Sequence, residues 1–440
     1  MSTIDLAPGS TANSMIGPFD EETFNLCGQG EPALLRAKRE EGFHAYARLA
    51  APTLFDEEWR RTNPMLFPFA DFSAGEMLAQ VEPRESTGYG DSFDVVVDVR
   101  DDGFSIEDHA GAVREGRAVV CSLADAAASC GDLIQTYLNG RALPADWDKF
   151  VALNDAFWNF GLLVHVLPGV ELEKGIHVRY AMSGNAGTIV PQTLVVLGEQ
   201  SRATILESMT SPPPASWLSI ATKEVYLGAA ARLGLVTLQE WGGGTVQISN
   251  DMALVERDAQ VDWIALNLGT GVSKLKLGSD VCGPGACAEL DGLFFCNGKQ
   301  HVDQKTLQIH SAPHTYSRLL YKGVVKDEGH SVYQGIIQAK PGAVKVDAYQ
   351  TNNNLVLSRG AQADTIPGLL IDADDLKCSH GATIGNLDED QIFYMRSRGL
   401  GDGDARRLLT RGFYDEVADR IPYEWVRNRV HRHVDGRLGV

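Results

Sequence analysis

The chain has 440 residues, 44% of them hydrophobic, and a formal charge of −19 at pH 7. That length can bury a large core in more than one structural unit, and the hydrophobic share is ordinary for a globular protein. The acidity argues against general nucleic-acid binding, which needs basic surface to meet phosphates, and no apolar run reaches the ~18 residues of a membrane-spanning helix.

Residues 1–30 are rich in Ser, Gly, Asn and acidic side chains and read as a flexible lead-in. The first basic residue is Arg36, so no secretory leader is expected. From Glu31 the pattern turns helical, with Leu34, Leu35, Phe43, Tyr46 and Leu49 among charged residues, and Pro52 ends it. Asp56 to Thr62 reads as a short acidic-capped turn. Residues 94–99 and 118–121 are β-like, while 124–138 and 147–160 read as helices. Residues 31–160 are therefore expected to form an N-terminal α/β domain, largely helical.

From residue 161 to 385 short β runs recur at 161–167, 175–178, 193–197, 203–206, 233–239, 245–248, 260–267, 332–338, 344–349 and 355–357. A glycine followed by a small residue or histidine recurs at Gly285, Gly329, Gly342, Gly360 and Gly381, with gaps of 44, 13, 18 and 21. Most of these gaps lie near 20 or a multiple of it. Strands at such a near-period, with no helices between them, suggest a parallel β-helix whose stacked rungs share one core. A large antiparallel sandwich or barrel with regular turns is the alternative.

Residues 386–440 read as a helical domain. Asp388 and Glu389 suit a helix N-terminus, and Gly399 suits a C-terminal stop. A second helix is expected from Asp404 to about Gly412. Val417, Ile421 and Trp425, with Val426, Val430 and Val434, make an apolar stripe. Packing on the chain's own body and docking of a partner both fit that stripe. Ten arginines and no lysine lie between Arg396 and Arg437.

Several chemistries have no motif here. Gly292 to Lys299 lacks phosphate-loop spacing, and Gln300 stands where a magnesium-binding hydroxyl would be needed. There is no nucleophile elbow, no His-Glu-x-x-His helix and no Cys-x-x-Cys pair. Seven cysteines, an odd number, make no disulfide framework, so a reducing cytoplasm is expected. Cys282, Cys287 and Cys296 match no ligand spacing and read as structural thiols. His310 and His314 share a face only if a strand runs through Pro313, and a structural role is expected for both. His431 and His433 are expected to be solvated; His301 and His330 sit beside turns. Cys378 and His380 stand apart. They lie two residues apart where the β region ends, so on a strand both point to one side. Thiolate and imidazole both ligate iron, although a lone Cys-x-His pair on a strand more often packs than ligates.

The chain resembles the SufD family of iron–sulfur cluster assembly proteins, paralogous to SufB. The resemblance covers most of the chain and rests on these segments. They are Glu57-Glu58-Trp59-Arg60, His301-Val302-Asp303-Gln304-Lys305-Thr306, His310-Ser311-Ala312-Pro313-His314-Thr315, Tyr321-Lys322-Gly323, Lys377-Cys378-Ser379-His380-Gly381-Ala382-Thr383 and Phe393-Tyr394-Met395-Arg396-Ser397-Arg398-Gly399. SufB has His-Glu-Ala-Thr where this chain has His380-Gly381-Ala382-Thr383. The resemblance implies a mainly β protein, with a right-handed parallel β-helix between an N-terminal domain and a C-terminal helical domain. It implies a non-catalytic scaffold that pairs with SufB through the β-helix ends and docks the SufC ATPase on its C-terminal helices. It also implies that His380, with Cys378 beside it, faces SufB as a transient ligand for iron or a nascent iron–sulfur cluster. Reduced flavin is implied by the resemblance only, without a supporting motif. A homodimer of the chain in isolation, a purely structural brace for SufB, and a β-helix enzyme acting on polysaccharide are the other readings.

Overall fold

The computed structural model describes residues 17–83 and 92–438. Residues 1–16 of the expected lead-in lie outside that description, whereas its residues 17–30 hold the helix Glu21–Leu26 and the buried Phe19 and Phe24, because these rings find an apolar core to pack in. Two helices, Glu21–Leu26 and Ala33–Arg48, open the described chain. Asp20 caps the first through its carboxylate, and Phe19 and Phe24 bury their rings in a core cluster. Gly42 lets the second helix close on Lys149–Phe157, because a Cβ there would sit 2.5 Å from Asp155. Lys38 and Asp155 form a buried ion pair at 2.7 Å across that contact. Arg39 donates to the carbonyls of Ala156 and Trp158, which close the partner helix.

The helix predicted over residues 124–138 is two helices, Leu123–Ser129 and Gly131–Tyr137. Cys130 leaves helical geometry between them, where Ser, Cys and Gly in succession are weak helix formers. The predicted helix at 147–160 is shorter, Lys149–Phe157, and its last residues turn into the strand Phe160–Val166.

Beyond this point the chain is a flattened parallel β-solenoid. Two sheets face each other, and from Arg202–Thr210 onward successive strands alternate between them. Only the first members depart from parallel pairing: Val95–Arg100 with Gly103–Asp108, and Ala118–Ser122 with Phe160–Val166. The interior between the sheets holds Leu235, Val255, Trp263, Leu290, Leu319 and Tyr321.

The repeat is longer than the predicted 20. Val246 pairs with Val272, Cys287 with Tyr316 and His330 with Gln362, so a turn of the solenoid takes 26 to 32 residues. Each turn is two long strands and two corners, and the recurrent glycines fall at both corners. Gly381 is not a corner at all; it lies inside the last strand, Lys377–Gly385. The β runs predicted at 344–349 and 355–357 are one strand, Asp347–Val356, preceded by a corner with Lys345 at φ +59°. Val272–Val281 was not among the predicted strands, although Leu275 and Leu277 alternate with Lys274 and Lys276 in it.

The C-terminal helices Asp402–Ala418 and Glu424–Leu438 lie on the outer face of the first sheet. The former runs past Gly412, its predicted end. Val417, Ile421, Val426, Val430 and Val434 are buried against Leu266, Leu293, Phe295 and Val324. The apolar stripe thus packs on the chain's own body, and it spans two helices rather than one. His431 and His433 are not solvated, contrary to expectation. His431 pairs with Asp415 at 3.0 Å, and burial pushes His433, beside Phe295, down to about 3.

Candidate functional site

The solenoid ends in three strands: Asp347–Val356 and Lys377–Gly385 in the first sheet, and Gln362–Ile371 in the second. The last strand of each sheet has one neighbour only, so both sheets stop in open edges at the same end. Apolar residues are left in water there: Leu370 is 53% exposed and Ile384 50%. An apolar edge is a template for another strand, and folded proteins usually blunt or cover it; here Pro367 withholds one donor from the second edge and the rest of both edges is left open.

Cys378 and His380 lie on the last strand, paired in register with Ala348 and Gln350. Paired residues of parallel strands point to the same face. Ala348 and Gln350 are buried inside the solenoid, so Cys378 and His380 belong to its inward column at the open mouth. Cys378 is half-buried against Ile337, Val346, Ala348 and Leu376; His380 is exposed. Burial, with Asp347 adding to it, holds the Cys378 thiol above its ordinary value. Metal binding there would have to displace a proton. Among the described residues, no three His, Cys, Asp or Glu side chains are gathered to hold a metal ion. Cys378 and His380 therefore make at most part of a ligand set.

The other thiols and imidazoles are placed differently. Cys282 bonds the Val255 carbonyl, and Cys296 bonds that of Gln300, at the ends of different strands. His310 is buried between the Thr315 and Ser317 hydroxyls, at 2.7 and 2.8 Å, and burial pushes it down to about 4. His314 sits in a corner at φ +58°, off any strand face shared with His310. Gly292, in the rejected phosphate loop, lies in a strand under the Tyr321 ring.

One cluster was invisible in the sequence. On the outer face of the second sheet, His301 bonds the Thr62 hydroxyl at 3.0 Å, and its ring meets that of His330 at 4.7 Å. His330 pairs with Asp364 at 2.9 Å, and Thr62 also bonds Asp303. His301 and His330 are register partners one turn apart. The 29-residue repeat is the signal that would have found them. The cluster fastens the segment around Trp59, itself buried against Phe67 and Phe150, to the solenoid.

A second apolar surface lies on the C-terminal helices. Phe393 is 73% exposed and Tyr394 59%, both on the helix Glu389–Ser397, with Leu400 and Leu408 partly exposed nearby. A flavin has no evident cradle at the glycine run. Gly242 and Gly244 pack against the Pro212 and Ala215 carbonyls of the preceding turn, which leaves no room there for a phosphate.

Comparison with known families gives this geometry a context. Residues 180–413 match the SUF system FeS cluster assembly SufBD core domain, and residues 11–178 match the SufBD protein N-terminal region. The chain belongs to the SufBD family. An iron–sulfur cluster assembly SufBD family protein of Synechocystis is 29% identical over 419 residues, 92% of each chain. The iron–sulfur cluster assembly protein SufD of Escherichia coli is 30% identical over 279 residues, 63% of each. A SufBD family protein of Mycobacterium leprae is 36% identical over 225 residues; the match spans 57% of that relative's length. Membership in this family places the chain in the iron–sulfur cluster assembly system. No helix among the described residues is long and apolar enough to cross a membrane.

Proposed function

We propose that this chain is a non-catalytic, cytoplasmic scaffold subunit of the SUF system. It pairs with SufB at the open end of the solenoid and docks the SufC ATPase on its C-terminal helices. The observation that carries this reading is the open end itself. Two unpaired edges and exposed apolar side chains surround an inward-facing thiol and imidazole at the mouth. A second solenoid end would cover that apolar surface and pair both edges. Iron, or a cluster under construction, is then the cargo of the covered mouth. His380 offers a neutral nitrogen and Cys378 a thiolate once its proton leaves. SufB supplies the remaining ligands. The exposed Phe393 and Tyr394 fit an apolar anchor site for the ATPase.

Co-expression with SufB-like and SufC-like neighbours, followed by purification on a tag carried by this chain, tests the assembly. A stable complex of all three is expected; recovery of this chain alone overturns it. His380→Ala in that complex should fold and assemble normally but lose cluster formation on reconstitution. Wild-type cluster yield would remove His380 from the site and leave the chain as a structural brace for SufB.

A further inference from the structure

Directly beneath His380 in the inward column lies Gln350, its register partner on the neighbouring strand. Gln350 is fully buried, and neither its Oε1 nor its Nε2 has a hydrogen-bond partner among the described residues. Its inward neighbour two residues along the same strand is engaged: Asn352 donates to the Tyr321 carbonyl and accepts from Asn354. The space for the Gln350 amide is made by the opposite sheet. A Cβ on Gly335 would come within 2.1 Å of the amide nitrogen, so any larger residue would displace the amide. The interior thus holds a polar group, keeps a glycine-sized recess for it, and gives it no partner. Buried amides are normally paired. The one polar side chain stacked over it in the column is His380, about one strand spacing (~4.8 Å) away.

We propose that Gln350 is a positioning residue for His380, an inference that rests on the reading of His380 as an iron ligand. When the imidazole turns inward, Gln350 Oε1 accepts its ring N–H. That bond fixes a single neutral tautomer and leaves the other nitrogen's lone pair aimed out of the mouth, toward iron. Ligating histidines commonly hold their second nitrogen this way, and loss of the outer partner typically weakens metal binding by about 10–100-fold. Proton count is unchanged: the ring keeps its one proton, and the amide only accepts it.

The test is the ring nitrogen spectrum of His380 in the full-length, metal-free chain labelled with nitrogen-15 histidine, recorded above pH 8. His380→Ala identifies the signals. The wild type should show one protonated and one bare nitrogen with well-separated shifts. Gln350→Leu should move both toward the average of two exchanging tautomers. Gln350→Glu, of equal length and a stronger acceptor, should keep them apart, whereas Gln350→Asn, one methylene shorter, should not. Shifts in Gln350→Leu identical to wild type overturn the proposal and leave Gln350 as a group satisfied by interior water. If Gln350→Leu does not fold, the Glu and Asn variants decide alone: equal spectra in the two overturn it. Since no iron is present, this result is independent of whether His380→Ala loses cluster formation. Failure of the ligand reading and failure of this inference are therefore distinguishable.

Discussion

Lys274 and Asp303 meet at 2.6 Å, one solenoid turn apart, with their side chains 1% and 0% exposed. Lys274 also donates to the Glu58 carbonyl and lies over the Trp59 ring, so the pair anchors the segment around Trp59 to the second sheet. Breaking a buried pair by removing one partner leaves an uncompensated charge. Asp303→Ala should cost about 3–5 kcal/mol in denaturant unfolding. Replacing both partners by apolar residues of similar size should recover much of that loss. A double variant no more stable than Asp303→Ala would contradict this account.

Glu58 and His310 each contribute to acid sensitivity. Burial alone would raise the Glu58 carboxyl, but Lys276 and Lys305 overcome it and hold Glu58 down to about 2. A carboxyl depressed on folding contributes stability above its unfolded value near 4.5, lost as pH falls toward 2. His310, pushed down from 6.5 to about 4 by burial, acts in the same direction at higher pH. The unfolded chain binds that proton first, so stability falls as pH drops from 6.5 to 4. Burial also lowers His177, His301 and His433, whereas it raises Asp155, Glu224, Asp251 and Asp291, which oppose them, so the two contributions are read as differences between variants. Glu58→Gln should lessen the loss of melting temperature below pH 4.5 relative to wild type and leave the response at higher pH in place.

Gly323 lies beneath the Phe294 ring, and a Cβ added there would approach the ring carbon Cζ to 1.9 Å. Both residues are buried inside rigid strands, so the ring has little room to withdraw. Gly323→Ala should destabilise the chain by about 1–3 kcal/mol. Adding Phe294→Leu should restore part of the loss, and a shift in the denaturant midpoint measures both.

The open end gives a prediction about association rather than folding. Leu370, half in water on the edge strand of the second sheet, gains little from burial in the isolated chain. Leu370→Lys should change stability by less than about 0.5 kcal/mol, as surface substitutions usually do. It should nevertheless prevent pairing with SufB in co-purification, because a lysine on an edge strand disfavours strand addition. Undiminished recovery of SufB would place the contact elsewhere.

Much of this was legible in the residues. Glycine spacing and short strands suggested the β-solenoid over a sandwich or barrel, capping residues and an apolar spacing of four marked the helical tail, and strand alternation gave Cys378 and His380 a common face; all of these signals are local. The repeat length was misjudged because the counted glycines mark both corners of each turn, and Gly381 marks none. The cluster of Thr62, His301, His330, Asp303 and Asp364 was missed for a related reason. Its members meet only through strand-to-strand register, 29 residues apart or farther, which no local window sees. Gln350 was hidden differently. A polar residue inside a strand reads as solvent-facing until the opposite sheet and Gly335 are in place. The tail stripe could not be assigned from pattern alone, because an apolar face looks the same whether its own sheet or another protein covers it.

The manner in which the tail is attached has a mechanical consequence. Arg420 bonds Asp291, the Tyr414 hydroxyl bonds the Phe294 carbonyl, and Lys322 reaches the Phe413 carbonyl. These ties join the helices to two adjacent strands, Cys287–Cys296 and Tyr316–Val325, over a buried apolar seam. A tether on a loose linker would absorb a tug by uncoiling. This one has no slack, so a displacement of Asp402–Ala418 must either shear the seam or tilt the sheet beneath it. The short helix bearing Phe393 and Tyr394 follows the strand of His380 by only a few residues. Whatever grips those two aromatic rings therefore holds a lever with its fulcrum on the first sheet and its short arm at the mouth of the solenoid.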